Sequence, residues 1–338
     1  MKAIKVVGAH DVRYADVETP RVQSPTDVLV KVKAGGICGS DIHVAHGTNI
    51  FATYPRIVGH EIAGVVEEVG TQVGKLCVGD RVVLEPFKFC GTCYACTHGR
   101  RNVCQSLQVY GAHIDGGFSD YMVVDEQNLH KIPDVLTFEQ ATLIEPYTIG
   151  AQATWHADVQ SGDMVLIHGA GPTGLILADT AKSMGAVVIV SEVSENRLRT
   201  AKAFGADHLI NPAKQDFKQV LNEITGGMGP NVIFEAAGIP ALLTESVELA
   251  SVAGRIVPLA FSNTPIPINF GLVTKKELRI FGTRHQTYKF VPVIEGFESR
   301  LDRVNAMITG VYPAEQFGQA FEAFTEKDSD NCKIVLTF

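Results

Sequence analysis

The sequence predicts an α/β protein of two domains, one irregular and β-rich, the other a doubly wound parallel sheet. Three observations carry this. The chain has 338 residues, enough for about two domains at roughly 150 residues each. Short apolar segments broken by glycine and proline fill the first part of the chain, the texture of strands and turns. Between residues 163 and 280, apolar runs alternate with helical segments, the pattern of βαβ units on a parallel sheet.

In chain order, the first region gives strands at Val28–Val32, Ile62–Val69 and Arg81–Leu84, with the turn Val78-Gly79-Asp80 before the last. The middle region gives strands at Met164–His168, Val187–Ser191, His208–Ile210, Val232–Glu235, Ile256–Leu259 and Leu278–Phe281. Between them lie the helical stretches Leu175–Met184, Glu195–Phe204, Phe217–Ile224 and Leu242–Ser251. After residue 285 the proline-broken texture returns, with helices near Tyr288–Phe297 and Phe317–Thr325 and a final strand Lys333–Phe338. The first domain is therefore read as discontinuous, 1–149 with 286–338, around a second domain at 150–285.

Composition excludes several functions. With 46% hydrophobic and 20% charged residues and a net charge of -8, the chain is a globular type with no nucleic-acid surface. Its densest basic spot, Arg100-Arg101 near Lys88, is too small to alter that. The N-terminus reaches Asp11 and Arg13 before a signal-peptide core could form. No apolar run approaches the ~20 residues of a membrane helix, so a cytoplasmic location is expected. In such a reducing compartment seven cysteines do not imply a disulfide framework.

Gly169-Ala170-Gly171-Pro172-Thr173-Gly174 fits G-x-G-x-x-G directly after Met164–His168 and opens a helix. Glycines tighten such a turn, admit a pyrophosphate against the backbone and let helix and strand close up. The helix N-terminus adds partial positive charge. Glu192 ends the next strand, 18 residues past Gly174. A carboxylate there accepts hydrogen bonds from an adenosine ribose and repels a 2′-phosphate, which reads as a Rossmann domain for NAD. Arg197, one helical turn on, either flanks the adenosine or is solvated surface.

Cys90, Cys93, Cys96 and Cys104 form C-x2-C-x2-C-x7-C, the ligand set of a closed tetrahedral zinc site. An iron–sulfur cluster is the competing reading, disfavoured because no proline follows Cys104 and no second cluster exists. A second set comprises Cys38 with Ser40, Asp41 and His43, and then His60-Glu61: thiolate, imidazole and carboxylate.

Together these motifs resemble the zinc-dependent medium-chain dehydrogenase/reductase family over essentially the whole chain. The resemblance implies a GroES-like catalytic domain beside the Rossmann domain, and two zinc ions per chain. It implies Cys38 and His60 as ligands of a catalytic zinc, and Glu61 as the position that binds directly in sorbitol- and threonine-dehydrogenase-like members. Glu145, in Ile144-Glu145-Pro146, stands where ethanol-type enzymes carry a second cysteine, so the third ligand is either glutamate. The family pattern gives Ser40 and His43 a proton relay. Asp41 either orients His60 or holds its own loop. Gly116-Gly117-Phe118-Ser119, Lys276–Phe281 and Cys332–Phe338 are similar to bacterial polyol and sugar-acid dehydrogenases.

The implied reaction is oxidation of a secondary hydroxyl on a polyol, hexonate or pentonate, with a threonine-type amino-alcohol dehydrogenase or a non-catalytic NAD-binding protein as alternatives. Candidate substrate contacts are Tyr54-Pro55-Arg56, His113, Phe118 and Thr283-Arg284-His285, with Arg284 a carboxylate clamp or a cofactor contact. A homo-oligomer, tetramer or dimer, is expected. Cys77 and Cys332 are read as small buried side chains, and the lone Trp155 as a packing residue.

Overall fold

Strand Asp27–Gly36 organises the first part of the molecule, because its alternating valines bury one face while its Ala34-Gly35-Gly36 end lets neighbours close in. The chain, described here by a computed structural model over residues 1–326 and 331–338, divides into two units. One is Met1–Glu145 with Thr287–Phe338; the other is Pro146–Gln286.

In the first unit, Asp27–Gly36 pairs antiparallel with Glu61–Val69, with Tyr121–Asp125 and, at its glycine end, with Lys333–Thr337. The sheet continues through Arg81–Leu84 and Leu129–Lys131 on one side and Ile308–Pro313 on the other. One core gathers Val28, Val30, Val32, Ile62, Val66, Val82, Met122, Ile334 and Leu336. A small satellite core of Phe87, Cys104, Leu107 and Val109 sits under the segment that carries the four clustered cysteines. That segment is tied down by the buried Glu85 carboxylate. It lies 2.8 Å from Arg101 Nη2 and 2.8 Å from His130 Nε2, while Asn128 donates to the carbonyls of Glu85 and Phe87.

The second unit is a six-stranded parallel sheet. Its order is His208–Ile210, Val187–Ser191, Met164–His168, Val232–Glu235, Arg255–Pro258, Arg279–Ile280. The chain reverses direction across the sheet between Met164–His168 and Val232–Glu235, the switch point where ligands of open α/β sheets sit. Helices Pro172–Ser183, Glu195–Ala203, Phe217–Ile224 and Pro240–Leu249 connect the strands. Ser194 and Asp216 cap two of them by accepting from the amides of Arg197 and Gln219.

Four of the six expected middle strands have the observed bounds; Ile256–Leu259 shifts by one residue to Arg255–Pro258, and Leu278–Phe281 loses one residue at each end to become Arg279–Ile280. The helix expected from Leu175 starts at Pro172, which suits the first helical position. The 13-residue helix Ile144–His156 carries no sequence signal. Thr148, Gln152 and Thr154 are buried in it along with its apolar residues, so no polar stripe marks it. Pro146 falls in its first turn, where proline is tolerated. Helices Phe270–Lys276 and Leu301–Met307 and strand Ile308–Pro313 were also not expected.

Three minor readings are corrected. Cys77 is exposed and Cys332 half-buried; Cys77 begins the turn before Arg81–Leu84, its amide given to Asp80. Trp155 is 52% exposed at the last turn of its helix, so it does not serve as core packing. Among the described residues no helix is long and apolar enough to cross a membrane.

His168, closing the central strand, is 1% exposed. Its ring lies 5.8 Å from that of Phe217, and its Nε2 has no hydrogen-bond partner among the described residues. Burial pushes its pKa down to about 4 from 6.5. The unfolded chain takes up that proton near pH 6.5 and the folded chain only near 4. The stabilisation is therefore complete above pH 6.5 and is lost as pH falls from there towards 4, by up to ~3 kcal/mol. His168→Leu is expected to lose less Tm than wild type between pH about 7.5 and about 4.5; parallel declines would contradict this assignment.

Candidate metal centres and nucleotide loop

Gly36 pairs with Glu61 on one side and with Val335 on the other. That register brings Cys38, just past the strand end, together with His60-Glu61 and Lys333. The ligand atoms of Cys38, His60 and Glu61 all lie within 4.8 Å of one another. Cys38 is the N-cap of helix Gly39–Ala45. Asp41, 1% exposed, uses both oxygens: Oδ2 accepts from the Cys38 amide at 2.9 Å and Oδ1 from the Gly59 amide at 3.1 Å. Oδ1 also stands 3.4 Å from His60 Nδ1. Asp41 thus does both jobs weighed for it, closing the loop and facing the imidazole. Burial disfavours a charged His60, but Asp41 and Cys38 outweigh it and hold its pKa well above the ordinary value.

Glu61 is 1% exposed and pairs with the equally buried Lys333, whose Nζ lies 2.5 Å from the carboxylate and donates to the Ile37 carbonyl at 3.0 Å. Burial raises the Glu61 pKa, with Lys333 acting against it. Lys333 Nζ stands 2.5 Å from Oε2 as well, so both carboxylate oxygens face the ammonium, and a metal ion beside Cys38 and His60 would share Glu61 with that lysine. Soft thiolate, imidazole and carboxylate in this spacing fit zinc. Glu145 is buried in the first turn of Ile144–His156. Burial chiefly raises its pKa, to about 7, and it is not one of the three convergent donors.

The four clustered sulfurs lie within 4.8 Å of one another, with Cys90–Cys104 at 3.5 Å and Cys93–Cys104 at 3.8 Å. Tetrahedral ligands about 2.3 Å from a zinc ion sit about 3.8 Å apart, so one ion fits this cage, and a four-iron cluster would not fit inside it. The Thr92 amide and hydroxyl lower the Cys90 pKa to about 5, whereas burial and the neighbouring sulfurs push Cys96 up to about 12. Four thiols this close cannot all ionise without a cation among them.

In the second unit, Gly169 has φ +95 and Gly174 has no room for a Cβ, which would stand 2.0 Å from the Gly169 carbonyl oxygen. Beside Gly171 nothing lies within 4 Å, the open approach that a bound phosphate requires. Gly171 caps the helix that Pro172 opens, and Thr173 is exposed in its first turn. Glu192 is 9% exposed at the end of its strand and accepts from the amides of Ala170, Val193 and Ser194. Arg197 is exposed.

Of the remaining candidates, Ser40 is half-buried in helix Gly39–Ala45, and His43 is exposed with Nδ1 2.8 Å from Thr48 Oγ1. Arg56 is held by Asp115 and Thr53, and His113 stacks on Phe51 at 5.5 Å. Arg284 lies 5.8 Å over the Phe261 ring. Phe118 is a correction. It is 0% exposed and fills the space left by Gly35 and Gly59, its ring stacked on Phe338, so it belongs to the core rather than to a substrate pocket. Lys333 was missed. Its signal was a lysine opening an otherwise apolar terminal strand, Lys333-Ile334-Val335-Leu336.

Comparison with known proteins agrees with this geometry. Residues 24–134 match the alcohol dehydrogenase GroES-like domain, and residues 172–299 match the zinc-binding dehydrogenase domain. Starvation-sensing protein RspB of Escherichia coli K12 is 40% identical, covering 100% of this chain and 99% of its own. Sorbitol dehydrogenase of Bacillus subtilis is 34% identical, covering 98% and 97%. A crystal structure of an rspB alcohol dehydrogenase from E. coli CFT073, complexed with NADH, superposes with a TM-score of 0.95 at 39% identity, covering 100% of this chain and 99% of that one. The chain belongs to the zinc-type medium-chain alcohol dehydrogenase family, a GroES-like domain joined to a Rossmann domain in an enzyme that uses zinc and a nicotinamide dinucleotide.

Proposed function

We propose that this enzyme oxidises a secondary hydroxyl of a polyol or sugar acid, such as a hexonate or pentonate, with hydride transfer to NAD. The observation that carries the reading is the Glu61 carboxylate converging with Cys38 and His60, together with a glutamate, Glu145, in the place of the ethanol-type cysteine. Cys38, His60 and Glu61 are the residues that would hold the catalytic zinc, with Glu145 as a nearby acid. When bound, zinc supplies a Lewis acid that makes the substrate hydroxyl easier to deprotonate. A proton on His60 Nδ1, facing Asp41, leaves Nε2 unprotonated as a donor to metal. Ser40 takes the substrate proton and His43, exposed and paired with Thr48, hands it towards solvent. Cys90, Cys93, Cys96 and Cys104 hold a structural zinc. Gly169, Gly171, Pro172, Thr173 and Gly174 cradle the cofactor phosphates, with Glu192 and Arg197 at the adenosine. Arg56, His113 and Arg284 supply polar contacts to substrate. We place the enzyme in the cytoplasm. The exposed edge strand Arg279–Ile280 supports a dimer or tetramer, since an unpaired edge invites a partner strand.

Three outcomes follow. Wild-type protein is expected to carry two zinc ions by elemental analysis. Cys93→Ser should drop to one zinc, with lower Tm and soluble yield, while Cys38→Ser should drop to one zinc, keep its fold and lose turnover. A single metal in active wild-type protein would sink the two-site account. Steady-state kinetics should give kcat/KM for NAD at least about a hundredfold above that for NADP, since a buried acid repels the 2′-phosphate; comparable values would remove Glu192 from its role. Arg284→Ala should cut activity on a sugar acid about tenfold more than on the matching neutral polyol, because a guanidinium binds a carboxylate through two hydrogen bonds. Equal losses would assign Arg284 to cofactor or fold, and a higher efficiency on ethanol than on any polyol or sugar acid would overturn the substrate class.

A further inference from the structure

The glycine turn of the second unit is tightly packed at its two ends, Gly169 and Gly174, and open at Gly171. A Cβ on Gly169 would stand 3.1 Å from the Ala237 backbone, and one on Gly174 would overlap the Gly169 carbonyl. On its other flank the turn meets Glu192. Oε2 of this carboxylate accepts from the buried Ala170 amide at 3.0 Å. Oε1 accepts from the amides of Val193 at 2.8 Å and Ser194 at 3.0 Å. Three of a carboxylate's roughly four acceptor positions are therefore taken by backbone. A ribose brings two hydroxyls, and this arrangement has room for about one of them. The Ala170 amide, turned to Glu192, is fixed within the protein, which leaves the amides from Gly171 onward at the helix N-terminus to face phosphate.

We infer that Glu192 is first a strut, setting the shape of the Gly169–Gly174 turn through the Ala170 amide, and only second a ribose acceptor. This rests on the reading of that turn as the cofactor phosphate site. The strut and the ribose roles differ in what they do to a nucleotide that has no ribose hydroxyls. A ribose acceptor is silent towards such a ligand. A strut affects it as strongly as the natural one, because the phosphate cradle itself is altered.

The test is calorimetric affinity of the zinc-loaded, full-length enzyme for ADP and for 2′,3′-dideoxy-ADP, in wild type, Glu192→Ala and Glu192→Asp. The strut account expects Glu192→Ala to weaken dideoxy-ADP about tenfold, the size of one lost charge-assisted hydrogen bond, and ADP by at least that factor because ADP also loses its one ribose contact. It expects Glu192→Asp, one methylene too short to reach Ala170 and the 193–194 amides together, to weaken the dideoxy nucleotide as Ala does. KM for NAD should rise in both variants by more than kcat falls. Loss of ADP affinity with dideoxy-ADP unchanged would overturn the proposal in favour of ribose contact alone. Wild-type behaviour of Glu192→Asp on dideoxy-ADP, or a lowered Tm with both affinities intact, would overturn it as well. Failure of the NAD reading shows separately, as equal use of NAD and NADP by the wild-type enzyme.

Discussion

The register of strand Asp27–Gly36 is the constraint on which the first unit's site depends. Gly36 faces Glu61 on one neighbour and Val335 on the other, so a thiolate, an imidazole, a carboxylate and an ammonium from three stretches of chain meet at one strand end. A slip of one residue would turn every side chain of a strand to the other face, separating Glu61 from Cys38 and sending Lys333 out of the core. The glycine at the crossing is required by the carboxylate itself, since a Cβ there would stand 2.2 Å from Glu61 Oε2. Burial of the valines on either side fixes the register, and the register fixes the donors.

Two buried charge clusters then separate the tasks of the unit. Glu61 with Lys333 lies beside Cys38 and His60; Glu85 with Arg101 and His130 anchors the cysteine segment. Taking such charges out of water is expensive, and a buried pair is weak evidence for net stability. Each makes sense for placement. Lys333 Nζ stands 2.5 Å from both oxygens of Glu61 and so fixes the carboxylate beside Cys38 and His60. Arg101 reaches Glu85 while lying over the rings of Phe89 and Tyr288, which pins the cysteine segment to the body of the unit. In the second unit Glu192 plays a comparable part, its charge spread over three backbone amides.

What the sequence made legible was whatever chemistry writes in fixed spacing. The four cysteines and the glycine turn needed no structure to be found, because metal and phosphate sites demand particular residue types at short range, whereas Cys38 and His60-Glu61 stood out only through the family resemblance. The parallel strands were equally plain, being unbroken apolar runs between turns. Long-range pairing was not legible. Lys333 is 272 residues from Glu61, and nothing local announces that the two meet. Helix Ile144–His156 escaped because its buried face includes threonines and a glutamine. Phe118 was named as a substrate contact, and only the structure shows that Gly35 and Gly59 make room for its ring in the core. Resemblance pointed to Glu61 or Glu145 alike; geometry favours Glu61, whose carboxylate converges with the other donors.

That preference is the centre of the account, and anomalous diffraction at the zinc edge from crystals of the zinc-loaded enzyme tests it most directly. The account expects two peaks per chain. One should be enclosed by the four cysteine sulfurs at about 2.3 Å, and the other bounded by Cys38 sulfur at about 2.3 Å and by His60 nitrogen and Glu61 oxygen at about 2.0–2.2 Å. A second peak bound by Glu145 with Glu61 held away on Lys333, or no peak beside Cys38 at all, would contradict it.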